Sequence, residues 1–424
     1  MVSRAETTQG LLARILEPGS RADPYPLFEE AGRRGPLWVE GRPVVVLASH
    51  EDCRSVLRDP RASNDRSHAL IHRDPSAPDG GTPGVPAELP SFLFMDPPRH
   101  TRLRRMASSA FTPRAVERLE DVIRGIVDDL LDELQAGGRM DVIDGFASPL
   151  PVTVICRVLG AQTGDHGWYR RRSSRLGRSV DPYPALLGVP APGREERAEF
   201  EAELHEFFAA LMRERREDPR DDVMTALLSA EDDLGRLTEE EIVTTCRLLL
   251  NAGHETTVNL IGNGLLALLS EPGRIASLRE DPSLADAVVE EVLRLDPPLQ
   301  LVHRHAREDM DVRGVRIPRG TTMVLLLAGA NRDGARFGEP DRFHPGRAGA
   351  SDHLSFGQGV HFCLGAPLAR LEGRLAFTRF AQRAVAPRLV GDRLDYRENV
   401  VLRGLSGLPV RVEGVLPRST PWDC

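Results

Sequence analysis

The chain has 424 residues, 63 acidic against 55 basic, 12 histidines and a formal charge of −8. Every Lys/Arg position is arginine, which excludes lysine Schiff-base chemistry and a lysine-dependent phosphate loop; the basic residues are dispersed, which argues against an obligate nucleic-acid binder. No apolar run reaches about 18 residues and Met1 to Gly10 lacks a signal-like core, so a soluble, cytoplasmic protein of one large domain or two or three smaller ones is expected.

Residues 1–20 read as a flexible arm, and Asp23-Pro24-Tyr25-Pro26 as a turn into a short helix. Leu37 to Glu40 and Pro43 to Leu47 flank Gly41 and predict a hairpin, after which Ser49 is placed to cap a helix. Between Ser63 and Phe94 the pattern dissolves. Residues 72–90 are rich in Pro, Gly, Asp and Ser, and read as a surface loop or a lid over a cavity. Met95 to Arg105 is basic, and a helix opening at Pro97-Pro98 would put His100 and Arg104 on one face, either to grip an anionic group or as a solvated cluster. Helices are predicted over roughly 113–135 and 151–159. Residues 173–192, rich in Gly and Pro, would suit a cap before a long charged helix ending near Arg216.

The strongest helix signal starts at Leu237-Thr238-Glu239-Glu240-Glu241-Ile242, a capping box of Thr238 and Glu241 inside a staple of Leu237 and Ile242. Apolar residues continue to Pro272, so a helix about 48 Å long is predicted to cross the molecule. Its middle carries Ala252-Gly253-His254-Glu255-Thr256-Thr257. Gly253 weakens the helix by about 1 kcal/mol relative to alanine, and Glu255 and Thr256 are polar where burial is expected. Thr256 can bond back to the Ala252 carbonyl as a core threonine. The favoured alternative is functional: the glycine admits a flat or diatomic ligand to the backbone, and the hydroxyl and acid handle protons.

Residues 282–295 predict a further helix with Glu291 and Arg294 at i, i+3, an ordinary ion pair if exposed and a structural clamp if buried. Leu299 to Ala306 reads as a strand with Arg304 between two histidines, and Thr322 to Leu327 as a buried strand. The heavily punctuated stretch 328–347 must wrap the core.

Five cysteines, Cys53, Cys156, Cys246, Cys363 and Cys424, lie far apart, which suggests neither a disulfide framework nor a four-cysteine zinc site. Cys53, Cys156 and Cys246 read as core residues. Cys363 stands apart, within Phe356-Gly357-Gln358-Gly359-Val360-His361-Phe362-Cys363-Leu364-Gly365. The glycines permit a tight turn whose amides point at the sulfur, and a helix begins at Leu364 with its positive end nearby; both effects favour thiolate. A single thiolate points to an axial ligand on haem.

With these residues the chain resembles the bacterial soluble cytochrome P450 family over nearly its full length. Phe356 to Gly365 matches the family's haem-ligand loop, Glu291-Val292-Leu293-Arg294 its Glu-x-x-Arg helix tied to Phe343–Arg347, and Ala252-Gly253-His254-Glu255-Thr256 its oxygen-binding groove. The resemblance implies a mainly α-helical single domain over 1–424 with small β-sheets. Its β-rich lobe would come from parts of 36–48, 299–328 and 395–413, with haem b between the central helix and the helix after Cys363. It implies Cys363 as the metal ligand and His100, Arg104, Arg304 and His361 as partners of the haem propionates, with Phe356, Gly357 and Gly365 around the haem. Glu255 and Thr256, beside Ala252 and Gly253, would deliver protons to bound oxygen.

The implied activity is a monooxygenase using O2 and two NAD(P)H-derived electrons. These would come from an external ferredoxin and ferredoxin reductase, docking near Arg102, Arg105, Arg370 and Arg374 on a monomeric enzyme with no nucleic-acid or membrane partner. Candidate lining residues Phe94, Leu249, Leu299, Leu301, Val302 and Leu405 are apolar. Hydroxylation or epoxidation of a bulky hydrophobic secondary metabolite is therefore expected, a polyketide, macrolide, terpenoid or peptide of antibiotic-biosynthesis type, free or carrier-bound. Oxidative coupling or peroxide-driven chemistry is the alternative within the family, although the acid–threonine pair leans against peroxide dependence. A non-catalytic haem sensor or ligand carrier is the alternative outside it.

Overall fold

A helix over Glu239–Leu269 runs through the middle of the molecule. A computed structural model describes residues 8–72, 91–134, 138–161, 194–271, 273–391 and 394–418; the predicted loop over 72–90 beyond His72, the cap over 173–192 and Cys424 lie outside them. The central helix starts where the sequence predicts: Thr238 Oγ1 accepts from the Glu241 amide at 3.2 Å, and Glu241 Oε2 accepts from the Thr238 amide at 2.9 Å. Its 31 residues span about 46 Å. Apolar side chains such as Ile242, Leu250, Leu260 and Leu265 are buried because helices Pro149–Leu159, Arg194–Glu217, Ala285–Leu295 and Ala366–Arg383 pack around it. The last of these, the helix after Cys363, lies so close that a Cβ on Gly264 would sit 2.1 Å from Phe377 Cζ. These helices share one large core containing Phe146, Phe377 and Phe380.

The main sheet orders its strands Leu37–Trp38, Val44–Leu47, Thr322–Leu325, Val302–Ala306 and Ala62–Ser63. Val44–Leu47 pairs parallel with Thr322–Leu325, which pairs antiparallel with Val302–Ala306 and sets Arg304 opposite Met323. Val44–Leu47 and Thr322–Leu325 are buried throughout because apolar clusters cover the two faces: Val44, Val46 and Val324 point into one, Val45, Leu47, Met323 and Leu325 into the other. The result is a mainly α-helical fold with small β-sheets.

Two expectations are corrected. The arm predicted over 1–20 is, from Thr8 to Leu16, a helix whose Leu11, Ile15 and Leu16 are buried against Phe28 and Val400 in one of those clusters. The short N-terminal periodicity is supported by tertiary burial rather than by helix propensity. Residues 395–413 reach the main lobe through a bridge between Leu299 and Leu402, while Pro409–Arg411 pairs instead with Arg139–Asp141 and Arg388–Leu389. Among the described residues, no helix is long and apolar enough to cross a membrane.

Candidate active site

The segment around Cys363 is closed by its own backbone. The Cys363 amide donates to the Phe356 carbonyl at 2.8 Å, the Gly357 amide to Leu354 at 2.8 Å and the Phe362 amide to Gly359 at 3.1 Å. Gly357 and Gly359 take φ of 65° and 71°, the left-handed region that favours glycine. Gly359 is doubly constrained, since a Cβ there would lie 2.6 Å from the Leu57 carbonyl oxygen. The Arg370 guanidinium covers the Phe356 ring at 4.6 Å.

Burial pushes the Cys363 thiol up, against the Gly365 and Ala366 amides and the Arg104 and Arg370 guanidiniums, which pull it down. The amides at the helix end favour thiolate, as expected, but desolvation outweighs them, and a metal cation at the sulfur would supply the remaining stabilisation.

Glu291 and Arg294 form a buried clamp, neither side chain exposed. Arg294 donates from Nε and Nη2 to the two carboxylate oxygens at 2.8 and 2.9 Å, and from Nη1 to the carbonyls of Asn331 at 3.0 Å and Pro340 at 2.7 Å. Glu291 accepts from the His344 amide at 2.9 Å and Arg347 Nε at 3.3 Å. With every oxygen and nitrogen so engaged, the pair offsets its desolvation. Asn331 carries the connection onward, accepting from the Leu354 amide at 2.7 Å and donating to Ser355 Oγ at 2.8 Å. The clamp therefore holds the entry to the cysteine turn.

His100, Arg104, Arg304 and His361 converge on one place, although they come from a helix, a strand and the cysteine turn. His100 is 1 % exposed and neither ring nitrogen has a hydrogen-bond partner among the described residues; its ring lies 4.1 Å from that of His361. Arg304 is buried, donates from Nη1 to the His303 carbonyl at 2.9 Å and meets no carboxylate at ion-pair distance among the described residues. Burial lowers it to about 10, with Asp96 pulling the other way. His361 is lowered to about 3 by burial and by Arg304, His100 and Arg104 together. Four mutually repelling donors, His100 and Arg304 buried and Arg104 and His361 half-buried, are the arrangement that an anionic ligand completes. A haem fits it: two propionates for the donors, and a thiol in the same turn for the iron. Asp96, which accepts from Ser63 Oγ at 2.5 Å and the Asn64 amide at 3.1 Å, is an acid acting on His100 and Arg304 that sequence reasoning missed.

On the central helix, Thr256 Oγ1 donates to the Ala252 carbonyl at 2.7 Å, and Ala252 is exposed amid a buried helix. Gly253 also packs against a neighbouring helix. A Cβ there would meet Ile155 Cγ1 at 3.3 Å, so its small size serves packing against Pro149–Leu159. Glu255 is 7 % exposed and pairs with Arg397, whose Nη1 donates to Oε1 at 3.2 Å. No local pattern could reveal Arg397, which lies 142 residues away.

Of the lining candidates, Phe94, Leu299 and Val302 are half-buried, with the Arg66 guanidinium 4.2 Å over the Phe94 ring. Leu249, Leu301 and Leu405 are buried in apolar clusters and read as core side chains. The arginines expected to form a docking face are engaged within the chain. Arg102 Nε pairs with Asp232 at 3.2 Å, Arg105 with Asp232 at 3.0 Å, Arg370 with Glu290 at 2.6 Å and Arg374 with Glu120 at 2.8 Å. Exposed Val360 and Phe362 lie on the cysteine turn beside Arg370.

Fold and site together define a haem-thiolate protein. The family model described as "Cytochrome P450" matches residues 26–383. The chain is 42 % identical over 395 residues to a vitamin D(3) 25-hydroxylase of Pseudonocardia autotrophica, covering 92 % of this chain and 93 % of that protein. It is 36 % identical over 410 residues to 6-deoxyerythronolide B hydroxylase of Saccharopolyspora erythraea, covering 92 % and 95 %. The ligand-free crystal structure of Mycobacterium smegmatis CYP164A2 superimposes with a TM-score of 0.87 at 45 % identity, covering 95 % of this chain and 100 % of that one. The chain belongs to the cytochrome P450 family: it is a monooxygenase that carries haem b ligated by a cysteine thiolate, and it draws electrons from a redox partner.

Proposed function

We propose that this enzyme hydroxylates a bulky, largely hydrophobic secondary metabolite of polyketide or macrolide type, with Cys363 as the iron ligand and His100, Arg104, Arg304 and His361 holding the propionates. The observation that carries the site assignment is the convergence of four donors, His100 and Arg304 buried, with no carboxylate at ion-pair distance of Arg304 and no hydrogen-bond partner for His100 among the described residues. The haem supplies, when bound, the reductive activation of O2 and the transfer of one oxygen atom to carbon.

The chain's own residues orient and protonate. Thr256, whose hydroxyl rests on the Ala252 carbonyl, passes a proton toward the haem side, and Glu255 reloads it. Glu291 and Arg294 keep the cysteine turn in register through Asn331. Electrons enter from a ferredoxin and its reductase at the face of the cysteine turn, where Val360 and Phe362 are exposed. With the surrounding arginines paired internally, apolar contact rather than charge steering dominates that docking.

The names of the two relatives, hydroxylases of vitamin D(3) and of 6-deoxyerythronolide B, support the substrate class. Half-buried Phe94, Leu299 and Val302 are the apolar side chains offered to such a molecule. The test is a spectral binding screen of the haem-loaded enzyme with bulky macrolides and polyketides against small aromatic compounds. Spin-state shifts confined to the small compounds would overturn the substrate reading. Thr256→Ala, loaded with haem, should consume NAD(P)H while forming less product; unchanged coupling would remove Thr256 from its role.

A further inference from the structure

Glu290 stands next to the clamp residue Glu291 in sequence, but its carboxylate serves a different arginine. Arg370 Nε donates to Oε1 at 2.6 Å and Nη2 to Oε2 at 3.2 Å, a two-point fork that fixes the plane of the guanidinium. Glu290 lies on helix Ala285–Leu295 and Arg370 on Ala366–Arg383, and the two helices run close together: a Cβ on Gly373 would sit 3.2 Å from Val289 Cγ2. The fork lays the guanidinium over the Phe356 ring, 4.6 Å from its centroid. Phe356 in turn is the residue whose carbonyl accepts the Cys363 amide at 2.8 Å. His353 joins the same group, with its ring 5.7 Å from that of Phe356 and its Nε2 3.5 Å from Glu290 Oε2. The cysteine turn therefore leans on a cation and an imidazole that both meet one carboxylate.

Two guanidiniums act on the Cys363 sulfur against its burial, those of Arg104 and Arg370. Arg104 belongs to the group facing the propionates and donates from Nη2 to the Phe362 carbonyl at 2.5 Å. Arg370 is held differently, on the helix that follows the cysteine, by a fork and a stack rather than by a backbone contact. Its carboxylate partner is an anion across the neutral range: against burial, which raises it, His353 and Arg370 lower Glu290 to about 2. A cation beside a metal thiolate favours the state that holds one more electron, and an anion disfavours it. The Glu290 and Arg370 side chains are 18 % and 34 % exposed, so water and salt screen these charges less than on an open surface. Charge and hydrogen bonding around the axial sulfur are among the levers by which a protein sets the potential of haem iron.

We infer that Arg370 is a positioning residue on the thiolate side of the haem, a cation fixed by Glu290 and Phe356 that raises the reduction potential of the iron, while Glu290 supplies an opposing, smaller effect. This rests on the reading of Cys363 as the iron's ligand. The step affected is the one-electron reduction performed by the redox partner. The partner loses the electron and ferric haem gains it; no bond of the chain breaks and no proton moves. The internal pairing of Arg370 thus acquires a use of its own. The carboxylate that removes the arginine from the free basic surface also keeps its charge at a set place beside the turn, where a mobile side chain would let it drift into water.

The test is a spectroelectrochemical titration of the haem-loaded enzyme without substrate at neutral pH, comparing R370Q, R370K, E290Q and R370Q/E290Q, with a carbon-monoxide difference spectrum taken for each. R370Q should make reduction roughly tenfold less favourable, a fall of about 59 mV for a one-electron couple. E290Q keeps a carbonyl oxygen for the guanidinium and loses only the charge, so its potential should rise. R370K keeps the charge and should stay near the parent, and the double variant should return toward it because both charges leave together. Disturbed packing alone would not give opposite shifts that cancel. If both single glutamine variants keep the parental potential, or R370K falls as far as R370Q, the Arg370 assignment is overturned, while a thiolate-type carbon-monoxide spectrum leaves the Cys363 reading standing. If R370Q loses the thiolate form, E290Q decides alone, and a potential that fails to rise overturns the proposal. If Cys363→Ser retains the thiolate form, the Cys363 reading falls and takes the assignment with it.

Discussion

The imidazole rings of His100 and His361 lie 4.1 Å apart, centroid to centroid, and share their pocket with Arg304 and Arg104. Burial lowers both histidines, and neighbouring cations lower them further: Arg104 acts on His100, and Arg304, His100 and Arg104 act on His361. Groups that repel one another are held together by the fold around them and gain favourable interaction with an anion between them.

Arg304→Gln should therefore act in opposite directions on two measurements. Haem retention, read as Soret absorbance per protein after dilution, should fall. The haem-free protein should unfold at the same or higher denaturant concentration, because a buried cation without a carboxylate has been removed. Loss of both haem and apoprotein stability would mean Arg304 is a structural residue instead.

For the Glu291–Arg294 clamp the expectation is a large loss. Glu291→Ala leaves a buried guanidinium without its carboxylate and should cost about 3–5 kcal/mol in denaturant unfolding. The comparison is Glu29→Ala, which breaks an exposed pair with Arg33 and should scarcely move the midpoint. Similar small effects for both would contradict the buried network.

Within the cysteine turn, the two left-handed glycines should respond unequally. Gly357→Ala adds a methyl 3.8 Å from the His361 carbonyl oxygen and should cost only its backbone strain, about 1–2 kcal/mol. Gly359→Ala drives a methyl against the Leu57 carbonyl as well, so the turn must shift. The carbon-monoxide difference spectrum should keep its thiolate form in the first variant and lose a substantial fraction of it in the second.

His50 supplies a pH-dependent term remote from the cysteine. Its Nε2 donates to the Asp352 carbonyl at 2.9 Å, and burial, with Arg336 and Arg54, lowers it to about 4 against the pull of Asp333. A histidine depressed in the folded state binds fewer protons there than when unfolded. Its contribution is thus present above pH about 6.5 and lost as pH falls toward about 4. Denaturant midpoints measured across that window should decline with acidification, less steeply in His50→Asn; equal slopes would exclude His50 as a source.

The parts legible in the sequence are those decided by near neighbours. The Thr238–Glu241 capping box spans four residues, so its hydrogen bonds follow from the local chain. The Phe356–Gly365 turn is similar: two positive-φ glycines and a cysteine amide bonded to Phe356 close within one short segment. Glu291 and Arg294 are one helical turn apart, and only their burial had to be learned from the structure. Where side chains point was less legible. Gly253 reads in sequence as an opening for a ligand, and its contact with Ile155 on a neighbouring helix had to come from the structure. Arg102, Arg105, Arg370 and Arg374 read as a free basic surface, yet each is matched by an acid from another element.

By itself the sequence determined the central helix, the cysteine turn and the identity of the iron's ligand, because capping, left-handed glycines and thiolate chemistry act over a few bonds. Only the tertiary structure decided which cations gather without carboxylates and which carboxylate meets Arg397. Ion pairing and desolvation depend on distance and burial through space, and residues 255 and 397 become neighbours only when the turn carrying Arg397 folds onto the central helix.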